Sequence, residues 1–177
     1  SGIELRNMEK GLIMEKKELR DLSTSLRQTF AKVDDVLKKN ATAYAIELLK
    51  GIIQREPGFI AGREKLRELE EEKSSNMGVL GQFLAKFKIA KFVAKGQTIK
   101  KKKPKQAMKQ AEEALALYLF SPAALNLLAD AAKNADALFI SIEALEILRE
   151  NSPTNESNLR KLSGIYEDAL DWGNVLK

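Results

Sequence analysis

The chain has 177 residues, 44% of them hydrophobic and 6% aromatic, with a formal charge of +5 and neither cysteine nor histidine. That length suits one sizeable core or several stacked units. The missing residue types exclude disulfides, thiolate metal sites, histidine general bases and Ser-His or Cys-His nucleophile pairs. The sequence holds no run of about 18 apolar residues and no signal-peptide pattern at its start. Ser1-Gly2 without Met reads as a cleavage scar. Charge is divided unevenly: residues 73–111 hold eleven Lys and no acid, whereas residues 112–177 hold five basic and eleven acidic side chains.

Residues 1–22 read as an irregular lead running into a helix, with a weak apolar pattern (Ile3, Leu5, Leu12, Ile13, Leu19, Leu22). From Ser23 the pattern firms, and Leu26, Phe30, Val33, Val36 and Leu37 form a helical stripe that Asn40 ends. Residues 43–56 carry Ala45, Leu49 and Ile52, and Pro57 follows. A third helix is predicted over Phe59–Lys73; its Glu64, Glu68, Glu71 and Glu72 read as a solvated face. Residues 23–73 thus make a first helical unit plus one helix, residues 74–78 a linker, and residues 79–177 a second helical region.

Residues 79–105 are the most unusual stretch. Leu80, Phe83, Leu84, Phe87, Ile89, Phe92 and Val93 alternate with Lys86, Lys88, Lys91 and Lys95, and KKKK-Pro-Lys follows. Ile89, Phe92 and Val93 fall on a different side of the wheel from Leu80, Phe83 and Phe87. The pattern therefore predicts a helix buried on most sides in a stack, with lysine stems reaching outward. The competing reading is a basic module for an anionic membrane surface or nucleic acid. The segment has Lys only, with no arginine, which argues against nucleic acid. In either case Lys100, Lys101, Lys102, Lys103 and Lys105 are expected to form a positive patch at a turn.

Lys103-Pro104 starts another helix, and Ser121-Pro122 starts the next with Ser as cap and Pro at its first position. Leu125, Leu128, Ala129 and Ala132 share one stripe there. Asn134-Ala135-Asp136 interrupts it, with Asp136 expected to cap a helix carrying Ile142, Leu145 and Leu148 up to Asn151-Ser152-Pro153. A shift of 34 residues takes Leu125, Leu128, Ala129 and Ala132 to Leu159, Leu162, Ser163 and Tyr166. The reverse shift takes Ser141, Leu145 and Leu148 to Ala107, Ala111 and Ala114. The spacing of Ala45, Leu49, Ile52 and Pro57 equals that of Ser141, Leu145, Leu148 and Pro153, but out of phase, so the register breaks between residues 58 and 100. Two short helices cannot bury both stripes alone, so such units stack.

A 34-residue unit with large residues at Leu125, Leu128 and Leu145, small ones at Ala129 and Ser141, and Pro153 near its end resembles a tetratricopeptide repeat. The resemblance implies an all-α fold: a right-handed α-solenoid of eight to nine helices in antiparallel pairs. It also implies a non-enzymatic scaffold that binds a peptide or protein along a concave groove, here within a larger bacterial cytoplasmic protein. The groove-lining positions become Ala123, Asn126, Asp130 and Lys133 in one unit and Ser157, Arg160, Gly164 and Glu167 in the next; Asn126, Asp130, Lys133, Arg160 and Glu167 are the candidates for contact. Neither cofactor nor metal is expected, and an enzyme would need a domain outside these residues. In this register residues 171–177 are the turn and opening of a further helix. The array then continues, or a second subunit covers that end.

Overall fold

The computed structural model describes residues 14–175, with side chains described through Leu170; the lead over residues 1–13 and the last two residues lie outside it. An extended segment and a 3-10 turn at Leu19–Asp21 precede eight α-helices. They are α1 (Thr24–Lys38), α2 (Thr42–Arg55), α3 (Ile60–Ser75), α4 (Val79–Ile99), α5 (Pro104–Leu115), α6 (Pro122–Asn134), α7 (Leu138–Asn151) and α8 (Glu156–Val175). The fold is all-α, and no described helix is long and apolar enough to cross a membrane.

Local chemistry sets the boundaries. Ser23 and Ser121 cap α1 and α6, each Oγ accepting from the backbone N–H three residues on. Asn155 does the same for α8, its Oδ1 accepting from Asn158 N–H at 3.1 Å. Pro104 and Pro122 occupy first-turn positions, where a missing N–H costs nothing. Asn40 and Asp136 hold φ of 56° and 55° at the ends of α1 and α6. Asp136 therefore does not cap the following helix: Ala137 sits at that position, without a side-chain cap bond. Asx side chains suit both positions, but the left-handed one tolerates fewer alternatives.

The spacing seen in the sequence recurs in the elements. Helices α5 and α7 start 34 residues apart (Pro104, Leu138), as do α6 and α8 (Pro122, Glu156). A longer shift, 96 residues, carries α2 onto α7 at both ends (Thr42 to Leu138, Arg55 to Asn151) and the start of α3 onto that of α8 (Ile60 to Glu156). The bounds of α2 and the start of α3 thus recur in α7 and α8. At this shift Asp136 falls on Asn40, which shares its left-handed φ. At the 34-residue shift it falls on Leu170, which enters the left-handed region only at a cost, and α8 runs on to Val175 across the stretch expected to turn.

Each helix from α4 to α8 packs on the next, and α4 also reaches α6; α1, α2 and α3 pack likewise in sequence. The larger core gathers Leu115, Leu125, Leu128, Ile140 and Leu145, all fully buried. Each such side chain contributes about 1.5–3 kcal/mol by leaving water. Small residues let helices approach: a Cβ at Gly96 of α4 would collide with Leu127 of α6. A second core joins Val33, Ile46, Leu49 and Leu66 of α1–α3 with Ala116, just after α5. A third, smaller cluster packs Leu22, Leu26 and Ile52 with Phe59, whose ring meets Phe30 edge-on at 4.9 Å.

The N-terminal module does not continue the stack end to end. Its α2 lies against α5, and α3 has no comparable packing along α4, although only residues 76–78 separate them. The extended segment ties both halves. Lys17 N–H donates to Gly58 O at 2.8 Å, and Met14 N–H donates to Asp136 O at 3.2 Å. Gly58 is required there, because a Cβ would strike the Glu15 carbonyl.

Candidate functional site

The expected groove face is built by α4, α6 and α8. Asn126 and Asp130 stand four residues apart on α6, hence on one face. Asp130 Oδ2 accepts from Lys100 Nζ at 2.7 Å, its Oδ1 pairs with Lys161, and Asn126 Oδ1 accepts from Lys161 at 2.9 Å. Burial pushes the Asp130 carboxyl up, but the hydrogen bonds from Lys100 and Lys161 outweigh it and hold the group below its usual range. Lys133 pairs with Asp168 at 2.8 Å. These bonds lash three alternate helices side by side. Arg160 and Glu167 stand apart from that cluster, paired within α8 to Glu156 and Ser163. Lys161, which joins Asn126 to Asp130, was not singled out from sequence; an Asn/Asp pair at helical spacing facing a lysine one repeat later was the available signal.

Lys100 accordingly is paired to α6 and does not stand in a free basic patch. Its Nζ serves Asp130 and its carbonyl accepts from Asn134 Nδ2 at 3.0 Å. Lys101, Lys102, Lys103 and Lys105 are exposed around the α4–α5 turn.

A second polar cluster went unread in the sequence. Arg63 and Arg67 of α3, 2% and 11% exposed at their side chains, meet Glu112 of α5 and Glu143 of α7. Burial works against both guanidinium charges, but the surrounding carboxylates keep them above their ordinary values. Burial also pushes Glu143 up, yet Arg63 and Arg67 draw it down to about 2. Glu70, fully buried, goes the other way. Desolvation exceeds the pull of Arg67, and the charges of Glu112 and Glu143 add to it, so its carboxyl rises to about 7. Its Oε2 accepts from Arg67 at 2.6 Å, and its Oε1 has no partner among the described residues. Beside this cluster, Glu64, Glu68 and Glu71 rim a cleft of roughly 550 Å³ between α3 and α7, and with Glu72 they are exposed, as expected of a solvated face.

Helix α4 departs most from expectation. Ala85, Ile89 and Gly96 are buried, with Phe92 and Val93 partly so, but Val79, Leu80, Phe83, Leu84 and Phe87 are 53% to 84% exposed. The helix is covered on one side, not on most. The physical reason lies in α3: its arginines are drawn to Glu112 and Glu143, so it does not return along α4.

No family model, curated protein or solved structure matches the chain. Among the described residues no group of acidic side chains is gathered as a metal ion would require. The described surface presents a polar face across α4, α6 and α8 and an apolar face on α4.

Proposed function

We propose that this chain is a non-enzymatic interaction scaffold, a short right-handed solenoid of tetratricopeptide-like helix pairs that receives a peptide or protein segment on the face formed by α4, α6 and α8. The observation that carries it is the recurrence of two pairs of helix starts at a 34-residue shift, with the same capping arrangement at Ser121 and Asn155. Supporting it, the alternate helices of the array lie side by side and present amide and charged groups able to bond an extended backbone. A cytoplasmic setting belongs to the same proposal.

Selection of unstructured peptides from a display library, followed by affinity measurement, tests it. Selected peptides are expected to lose about tenfold or more in affinity for the double variant Asn126→Ala/Arg160→Ala. Peptides that bind that variant as tightly as the parent would sink the groove reading.

A second reading, an anionic-surface module, draws support from the exposed Lys101, Lys102, Lys103 and Lys105. It requires retention on heparin at low salt that vanishes when these four become Gln. Retention unchanged by the replacement removes it.

A further inference from the structure

Helix α4 carries two faces of opposite fate. Ala85, Ile89 and Gly96 are buried, which fixes the rotation of the helix. Val79, Leu80, Phe83, Leu84 and Phe87 then fall within an arc of about 140° on the other side, over about 12 Å of helix. The Phe83 and Phe87 rings meet edge-on at 5.2 Å, so the stripe is one continuous apolar surface. Lys86 and Lys88 stand at its two borders, and Lys91 and Lys95 follow on the next turns; all four are exposed and none forms an ion pair among the described residues. No acidic residue occurs between Lys73 and Ala111 to offset them.

We propose that this face seats an amphipathic α-helix of another protein, apolar along one stripe and acidic along its borders. The place of α4 in the fold argues for a helix. Every later helix up to α7 is packed by both its chain neighbours, whereas α4 has α5 and α6 but no preceding helix along it, because Arg63 and Arg67 hold α3 against α5 and α7. The exposed arc has the width that one packed helix covers. Charge selects which helix: carboxylates on the incoming borders meet Lys86 on one side and Lys88, Lys91 and Lys95 on the other. A second copy of α4 would set two lysine borders against each other with no acid to receive them. This surface is separate from the groove described above and does not depend on it.

A library of single helices with randomised surfaces, displayed on phage and panned against the whole chain, tests the proposal. Enriched helices are expected to carry Leu, Phe or Met at helical spacing with Glu or Asp at the borders. Their affinity, read by fluorescence anisotropy, is expected to fall about tenfold or more on Phe83→Ser/Phe87→Ser. On Lys86→Glu/Lys91→Glu it should weaken, and a Lys-bordered version of the same helix should regain it. Both double variants alter exposed residues, and circular dichroism verifies their fold. Failure to enrich any helix that depends on Phe83 and Phe87 overturns the proposal, as does enrichment without acidic borders. Cosedimentation with phosphatidylglycerol vesicles that the enriched helices cannot displace assigns the face to a membrane and also overturns it. So does a self-associated species in sedimentation velocity that Phe83→Ser/Phe87→Ser dissolves. Helix binding unchanged in Asn126→Ala/Arg160→Ala keeps this result distinct from success or failure of the groove.

Discussion

Arg63 and Glu143, 80 positions apart in the chain, meet through two hydrogen bonds: Nε to Oε2 at 2.7 Å and Nη2 to Oε1 at 2.9 Å. The pair fastens α3 to α7. Arg63→Ala would leave Glu112 and Glu143 sharing Arg67 alone, with Glu112 almost fully buried. Removing one partner of such a cluster costs about 3–5 kcal/mol. Urea denaturation followed by circular dichroism should show a loss of that order. A change under 1 kcal/mol would mean the cluster is solvated in solution.

Stability should peak in mildly acidic solution. Glu70 titrates near 7 in the folded state against an ordinary 4.5, so its contribution is fully present below 4.5 and is lost as pH rises through 7. Glu143, held at about 2, contributes stability above 4.5 that is lost as pH falls towards 2. Each effect is on the order of 3 kcal/mol. The melting temperature should therefore be higher at pH 5 than at pH 8. Glu70→Gln should remove most of the decline between pH 5 and pH 8, while leaving the fall below pH 4.5.

Two glycines in helix interiors should respond in opposite directions. A Cβ at Gly51 of α2 meets nothing within 4 Å, so Gly51→Ala should stabilise the protein by about 0.5–1 kcal/mol through the unfolded chain. Gly96→Ala gains the same term but forces Leu127 aside where α4 crosses α6, at a cost of about 1–3 kcal/mol. Adding Leu127→Ala should make the Gly96→Ala step less costly. Thermal melts of the single and double variants decide it.

The lysines near the α4–α5 turn should separate into two kinds. Lys100→Gln removes a half-buried partner of Asp130 and should cost about 1 kcal/mol. Lys101, Lys102, Lys103 and Lys105, all exposed, should tolerate Gln within about 0.5 kcal/mol. Equal effects at Lys100 and Lys101 in urea titrations would contradict the pairing.

Much of the helical order was legible because short-range signals mark it. Ser121-Pro122, Lys103-Pro104 and Asn151-Ser152-Pro153 announce helix ends by their own chemistry, and the 34-residue shift follows from which residues are large and small. The turn at Asp136 was misassigned because aspartate suits an N-cap and a left-handed turn alike. The faces of α4 were not legible for a deeper reason: periodicity records that residues are apolar, not which helix covers them. That choice is made by Arg63 and Arg67, whose partners lie 45 to 80 positions away. No local pattern reports a bond of that reach. The groove candidates fared between the two: Asn126 and Asp130 converge, while Arg160 and Glu167 stay apart from them.

The arginine cluster also sets a timetable for biosynthesis. Arg63 leaves the ribosome 49 residues ahead of Glu112 and 80 ahead of Glu143. At about 5–20 residues per second, the wait for Glu143 is roughly 4–16 s. For more than half of it the first three helices carry two guanidinium groups destined for burial with only Glu70 close by, and Glu112 is made before Glu143. Until then those helices have every electrostatic reason to stay hydrated, so their docking is deferred until most of the chain exists.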